Sequence, residues 1–302
     1  MKLSIKKYAA IDIGSNAVRL LISDIIKEKN KPPMFRKTSL VRVPIRLGAD
    51  VFINGRITKE NRLRLVETMT AFRLLMNSHK VKAYKACATS AMREASNGEE
   101  LVKRILERSE VKIDIIDGKE EAAIIASTDL HSYIDENKTY LYVDVGGGST
   151  EFTVIHLGET VTSKSFKIGT VRLLKDIVSN KVWQDLEQWI KINTNQYDEI
   201  ELIGSGGNIN KIFKISGKKM GKPLTYFYLS AYYKNLQSYS YEERITKLNL
   251  NVDRADVIIP ATRIYLSAMK WCGARDMYVP KIGLSDGIIK SMYNKTISAT
   301  EL

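Results

Sequence analysis

Tyr8-Ala9-Ala10-Ile11-Asp12-Ile13-Gly14-Ser15-Asn16 and, almost half a chain later, Tyr140-Leu141-Tyr142-Val143-Asp144-Val145-Gly146-Gly147-Gly148-Ser149-Thr150 are two versions of one pattern. Each is a short apolar run that ends in an acid and a glycine turn. Each is followed by an alternating run, residues 18–26 and 151–157. That reads as strand, tight turn, strand, with an acid at the end of the first strand. Glycine lets backbone N–H groups approach an anion closely, and the acid beside them can hold a divalent cation. One D-x-G is an ordinary turn. Its repetition in matched surroundings points to two lobes that share a phosphate-bearing ligand.

Working outward, the first half reads as strands over 8–13, 17–26 and 36–46, a helix over 59–79, a strand over 82–88 and helices over 90–108. A strand at 112–116 and a helix from 119 to about 131 complete it. The second half repeats the order. Strands fall at 139–145, 150–157 and 160–168, and helices run to 195. A strand at 199–203, helices from 208, a long helix over 253–271, a strand at 276–279 and a final helix from 285 complete the chain. Three hairpin-connected strands and then alternating helix and strand, done twice, is the duplicated ribonuclease-H-like α/β core of actin-like ATPases and sugar kinases. In that architecture two lobes surround a cleft and the two D-x-G hairpins face each other across it. The expected division is 1–125 and 126–302, without a Gly/Ser or Pro-rich linker.

The 302 residues suffice for two lobes with cores of their own. A hydrophobic content of 44% and a charged content of 27% suit a globular chain. No apolar stretch approaches the roughly 20 residues that span a bilayer. Residues 1–7 lead directly into the first strand with no room for a signal peptide, so a cytoplasmic location is expected. Cys87 and Cys272 are the only cysteines, both in apolar surroundings, and read as buried free thiols. His79, His131 and His156 are scattered, so any metal here is hard and oxygen-bound. Lys and Arg number 47 against 34 Asp and Glu, a net charge of +13 that attracts polyanions. The tyrosines are dispersed and make no stacking platform, so no specific nucleic acid is expected as a partner.

A third glycine turn, Gly204-Ser205-Gly206-Gly207-Asn208, stands between an apolar strand and a helix. This is an anion-binding arrangement, because unsatisfied N–H groups and the helix dipole favour negative charge. Asn208 reads equally as a helix N-cap. Between the halves lies Asp117-Gly118-Lys119-Glu120-Glu121-Ala122. Helix-end electrostatics accounts for Glu120; Glu121, beside small alanines, is a candidate to take a proton from an attacking water. The residues alone do not separate the two carboxylates.

Eight motifs occur in order: Asp12-Ile13-Gly14-Ser15-Asn16…Arg19-Leu20, Thr89-Ser90-Ala91-Met92-Arg93-Glu94-Ala95, Glu120-Glu121-Ala122, Asp144-Val145-Gly146-Gly147-Gly148-Ser149-Thr150-Glu151, Gly169-Thr170-Val171-Arg172-Leu173, Gly204-Ser205-Gly206-Gly207, Arg254-Ala255-Asp256 and Leu284-Ser285-Asp286-Gly287. Together they resemble the exopolyphosphatase/guanosine pentaphosphatase family, over residues 9–287. The resemblance selects Glu121 over Glu120 as the general base for in-line attack on a terminal phosphoryl group. It implies that Asp144 and Glu151 bind Mg²⁺, with Asp12 a further candidate ligand. Gly14, Ser15, Asn16, Gly146, Gly147, Gly148 and Ser149 would cradle phosphates, as would Gly206, Gly207 and Asn208. Arg19, Arg93 and Arg254 would neutralise them.

Ala17 and Val18 stand where the family often has Ser and Phe, and Asn208 where it commonly has Thr. The chain stops 15 residues after Gly287, whereas longer members continue into helical domains that hold long polymers. The expected activity is Mg²⁺-dependent release of terminal phosphate from inorganic polyphosphate. Guanosine pentaphosphate hydrolysis is the alternative within the class, and a non-hydrolytic polyphosphate or alarmone sensor is the alternative outside it. A kinase of the same fold is disfavoured by the Glu120-Glu121-Ala122 motif. The segment holding Tyr226, Tyr228, Tyr232, Tyr233, Tyr239 and Tyr241 is a candidate homodimer interface or, equally, buried core.

Overall fold

A computed structural model describes residues 3–126, 128 and 135–298. In the first half, β1 (Ser4–Ile13), β2 (Val18–Lys27) and β3 (Met34–Val43) form an antiparallel meander. Next in the chain are α1 (Leu47–Asn54), α2 (Lys59–Ser78), β4 (Ala83–Ala88), α3 (Ser90–Glu94), α4 (Gly98–Ser109), β5 (Ile113–Ile115) and α5 (Gly118–Ala126). β4 and β5 pair in parallel, which gives the sheet order β3-β2-β1-β4-β5. β1 is buried from Tyr8 to Ile13, as a central strand covered on both faces must be. β3 is the polar edge, its Arg36, Lys37, Ser39 and Arg42 guarding an unpaired ladder.

The second half begins with the meander β6 (Thr139–Val145), β7 (Thr150–His156) and β8 (Glu159–Phe166). Next come α6 (Thr170–Leu174), α7 (Asn180–Thr194), β9 (Ile200–Ser205), α8 (Gly207–Ile215) and β10 (Leu224–Thr225). The remainder is α9 (Tyr226–Ser238), α10 (Tyr241–Thr246), α11 (Val252–Ala255), α12 (Ile258–Cys272) and β11 (Asp276–Tyr278). The sheet order is β10-β11-β9-β6-β7-β8. Apart from β10, this is the order of the first sheet. The two halves also share a flaw: the register of the second and third strands shifts after Ile22 in one sheet and after Val154 in the other. Each shift comes after the fifth residue of its strand, counting from Val18 and from Thr150. The fold is thus a duplicated ribonuclease-H-like α/β fold of the actin-like class.

The last helix, α13 (Leu284–Ser298), returns to the first half. One unit comprises residues 3–126 and 128 with 284–298; the other comprises 135–283. Residues 284–298 therefore group apart from the second half to which the sequence division assigns them. The reason is local packing. α13 lies against β1, β2, β4 and α5. The Tyr8 hydroxyl donates to Thr296 Oγ1 at 3.4 Å, and Asp286 meets Lys37 of β3 at 2.8 Å. A Cβ on Gly287 would stand 2.2 Å from the carbonyl oxygen of Ile124. Only glycine allows α13 this close to α5, the helix that carries Glu121.

Two cores hold the units. The first gathers Ile11, Ile13, Leu20, Leu65, Met69, Phe72 and Ile105; the second gathers Leu141, Phe152, Leu186, Ile212, Leu236 and Met269. Of the tyrosine segment, Tyr228, Tyr232 and Tyr241 pack on the second. Tyr228 and Tyr232 stack at 6.2 Å and pack on that core, whereas Phe227 is 83% exposed. Cys87 is buried and Cys272 is half-buried; burial pushes their thiols up to about 12 and about 11. Among the described residues no helix is long and apolar enough to cross a membrane.

Several boundaries differ from the sequence reading. β3 ends at Val43 because Pro44 cannot donate to the ladder, and α1, absent from that reading, comes after it. The long helix expected over 253–271 is two, α11 and α12, whereas the helices expected over 90–108 are α3 and α4. The expected extension of α5 to 131, and His131 with it, falls outside the described residues apart from Thr128. Replacing Gly287 by Ala should cost about 1–3 kcal/mol in chemical denaturation, because the new methyl meets backbone that cannot move aside. Gly283→Ala, whose nearest neighbour would be Ser205 Oγ at 3.8 Å, should change stability little.

Candidate functional site

In the first unit, four residues (14–17) join β1 to β2, and the Gly14 N–H closes the loop on the Ala17 carbonyl at 3.1 Å. The segment after β3 braces this loop. The Arg46 and Gly48 amides donate to the carbonyls of Asn16 and Ser15 at 3.1 and 2.8 Å. Ser15 is buried, its hydroxyl 3.5 Å from that of Ser90 at the start of α3. Register sets Asp12 directly opposite Arg19, and the guanidinium donates to Asp12 Oδ2 at 2.8 Å. The carboxylate expected to bind a metal is therefore engaged by an arginine.

Arg93 leaves α3 to donate to the Ile116 carbonyl at 2.5 Å, at the foot of α5. Asp117 accepts the amides of Glu120 and Lys119, both at 2.8 Å. The Glu120 amide is the main reason that its carboxyl lies below the usual carboxylate range, with Lys119 and the charge of Arg93 adding to it. Because the folded value is lowered, the cap stabilises at pH above the ordinary carboxylate range and is lost as pH falls through that lowered value. The two glutamates after it have different surroundings. Glu120 reaches Lys85 of β4 at 3.4 Å. Glu121, about 100° further round the helix, is half-buried on a different face.

In the second unit the same loop recurs. Residues 146–149 join β6 to β7, and the Gly146 N–H donates to the Ser149 carbonyl at 3.0 Å. The start of α6 lies directly against it, with Thr170 N–H to Gly146 O at 3.0 Å and Val171 N–H to Gly147 O at 2.9 Å. A Cβ on Gly169 would come within 2.5 Å of the Gly147 backbone. Arg172, itself buried, donates its Nε–H to the Gly148 carbonyl at 2.7 Å. Asp144 faces Glu151 across the ladder. Glu151 is buried, and its Oε1 accepts from the hydroxyls of Ser149 at 2.8 Å and Ser165 at 2.9 Å.

The third turn sits beside this hairpin because Ser205 is the register partner of Asp144. Gly206, not Asn208, caps α8. Its φ of 117° suits only glycine, and a Cβ there would stand 2.9 Å from the Val145 carbonyl and 3.5 Å from Asp144 Oδ1. The buried phenol of Tyr265 donates to the Ser205 carbonyl. Burial, then the charge of Asp144, pushes the hydroxyls of Tyr142 and Tyr265 well above the ordinary tyrosine range. Asn208 lies in the first turn of α8. Arg254 on α11 is near enough to Lys211 of α8 to help burial lower that amine's pKa.

The structure thus gathers Asp12, Gly14, Ser15, Asn16 and Arg19 on one hairpin, with Arg93 and Glu121 tied through α3 and α5. It gathers Asp144, Gly146, Gly147, Gly148, Ser149 and Glu151 on the other, beside Gly206, Gly207 and Asn208. Arg172, Ser165 and Tyr265 were given no role by sequence. Arg172 lies in the Gly169-Thr170-Val171-Arg172-Leu173 motif; Ser165 is found only through strand register.

The model of the Ppx/GppA phosphatase family matches residues 25–296. The chain belongs to this family. Among curated relatives it is 27% identical to the bifunctional 3-dehydroquinate synthase/phosphatase of Fusobacterium nucleatum, over 95% of this chain and 47% of that protein. It is 31% identical to exopolyphosphatase 2 of Mycobacterium tuberculosis, over 57% of this chain and 54% of that one. The chain thus spans about half the length of these relatives. A crystal structure of an exopolyphosphatase from Cytophaga hutchinsonii superposes with a TM-score of 0.83 at 24% identity, over 96% of this chain and 98% of that one. The Ppx/GppA fold is therefore common to both.

Arg172→Met should leave the buried Gly148 carbonyl without its charged donor. A loss of about 1.5–3 kcal/mol is expected in urea unfolding, with an unchanged m-value.

Proposed function

We propose that this chain is a Mg²⁺-dependent exopolyphosphatase that removes the terminal phosphate of inorganic polyphosphate, with Glu121 as general base. The observation that carries the reading is a difference between two otherwise matched hairpins. At the same register position the first pairs an acid with a base, Asp12 with Arg19, and the second pairs two acids, Asp144 with Glu151. Like charges directly opposite on neighbouring strands repel. An acid–acid pair at the mouth of a glycine loop is the donor set that a hard cation satisfies.

Magnesium fits these donors, since it uses one or two carboxylates and completes its shell with water and phosphate oxygens. Among the described residues no group of three or more His, Cys, Asp and Glu side chains could hold a metal. When bound, it would neutralise the non-bridging oxygens of the phosphoryl group under attack. Ser149 and Ser165 hold one oxygen of Glu151 in place for that task. The ion pair with Arg19 favours an orienting role for Asp12 over a place in the metal shell.

The remaining steps belong to the protein's own residues. The amides of Gly147 and Gly148 supply donors to phosphate oxygens, and Arg19, Arg93 and Arg254 supply charge. The Glu121 carboxylate takes a proton from water as its oxygen bonds to the terminal phosphorus. The bridging P–O bond breaks, and the shortened chain departs with the bonding electron pair. No covalent enzyme intermediate is required, because phosphoryl transfer asks chiefly for alignment and charge neutralisation.

Phosphate release from polyphosphate should require Mg²⁺ and fall by about 10²–10⁴ in kcat for Glu121→Gln, with polyphosphate binding retained. Undiminished release in that variant would remove Glu121 from the mechanism. Absence of release by the wild type, with polyphosphate still bound, would remove the hydrolase reading.

A further inference from the structure

One face of the second sheet carries two rows rich in polar side chains. The first is Ser205, Asp144, Glu151 and Ser165, in register across β9, β6, β7 and β8. The next, two residues back along β6, is Ile203, Tyr142, Thr153 and Ser163. Residues two apart on a strand share a face, so both rows stand opposite Leu141, Val143, Phe152 and Val154, which pack into the core. The serine and threonine hydroxyls of these rows are engaged. Ser165 donates to Glu151, Thr153 and Ser163 bond each other at 2.9 Å, and Ser205 Oγ donates to the Ile282 carbonyl at 3.0 Å.

Tyr142 is the exception. It is 2% exposed, and its hydroxyl has no hydrogen-bond partner among the described residues. Ser205 is close enough to act on the phenol, but the two hydroxyls do not meet in hydrogen-bonding geometry. The charges of Asp144 and Glu151 both bear on it, which puts the hydroxyl in the field of the paired acids. A buried hydroxyl left unpaired costs free energy that a phenylalanine of the same shape does not. The first hairpin has Ala10 at the same place, two residues before Asp12. The phenol thus accompanies the acid–acid pair and is missing where an arginine answers the acid. Tyr232 and Tyr293 also carry hydroxyls without a partner, but neither stands in these rows.

We propose that Tyr142 is a positioning residue of the cation site, its hydroxyl oxygen accepting a hydrogen bond from a water in the shell of the ion held by Asp144 and Glu151. Magnesium keeps several waters in its shell, and each has protons to donate. A phenol accepts as well as donates, so the hydrated ion would give this hydroxyl the partner that the described residues do not. Outer-shell contacts of this kind orient the ligands and set how tightly the ion is held. The inference rests on the cation reading of the acid pair, and not on which phosphate compound is hydrolysed.

The test is equilibrium dialysis of Mn²⁺ against the intact chain, with and without inorganic phosphate, for wild type and Tyr142→Phe. Thermal melts of both proteins without divalent ion accompany it. Tyr142→Phe should weaken Mn²⁺ binding by about ten- to a hundredfold. Its ion-free melting temperature should be unchanged or higher, because the substitution removes an unpaired buried hydroxyl and keeps the ring. Equal Mn²⁺ affinity in the two proteins overturns the proposal. So does a fall in affinity matched by a fall in the ion-free melting temperature, which would make the phenol a structural group. Failure of the wild type to bind Mn²⁺ removes the cation site and the proposal with it. If the wild type binds Mn²⁺ but releases no phosphate from polyphosphate, and Tyr142→Phe still loses affinity, the positioning role stands and the hydrolase reading falls.

Discussion

Strand register fixes what each carboxylate at the end of a central strand must face. Asp12 and Asp144 occupy the same place in two copies of one fold, and each leads into a four-residue glycine loop. Their cross-strand partners are Arg19 and Glu151. A single difference of residue type at one ladder position therefore gives one hairpin an internal counter-charge and the other two facing negative charges. The Arg19 ion pair and the serines on Glu151 both follow from that position.

Close backbone packing holds this chemistry in place. Each hairpin loop is braced by the segment after its third strand, through Gly48 against Ser15 in one unit and Gly169 against Gly147 in the other. Arg172 adds a charged donor beneath the second loop. Glu121 depends on a different set of contacts: Asp117 caps its helix, Arg93 grips the preceding carbonyl, and Gly287 admits α13 against Ile124. Interiors packed this tightly transmit small changes of volume. The Leu284-Ser285-Asp286-Gly287 motif thus has a structural account, in Asp286 meeting Lys37 and Gly287 meeting α5.

Much of this was legible in the sequence. The repeated acid-and-glycine pattern carries both hairpins and the fold class, because period-2 alternation and turn residues are local signals. What escaped was relational. Nothing local tells that Asp12 and Arg19 pair, since that requires the loop to be four residues long and the register to be known. Ser165 lies 14 residues from its partner Glu151 and became visible only through the ladder. α1 was missed because the apolar residues before it continue the strand pattern past Pro44. The grouping of α13 with the first half was hidden because chain order and spatial order part company at Leu284. Glu120 and Glu121 are inseparable by residue type; the structure sets Glu120 against Lys85 and Glu121 half-buried on a different face.

The central claim is that the cation belongs to the acid–acid hairpin and not to the acid–arginine one. The most direct measurement is Mn²⁺ binding, monitored by electron paramagnetic resonance in the presence of tripolyphosphate, for Asp12→Asn, Asp144→Asn and Glu151→Gln beside the wild type. The account predicts that Asp144→Asn and Glu151→Gln lose the tightly bound ion while Asp12→Asn keeps it. Loss of the ion in Asp12→Asn, with retention in the other two, would contradict it.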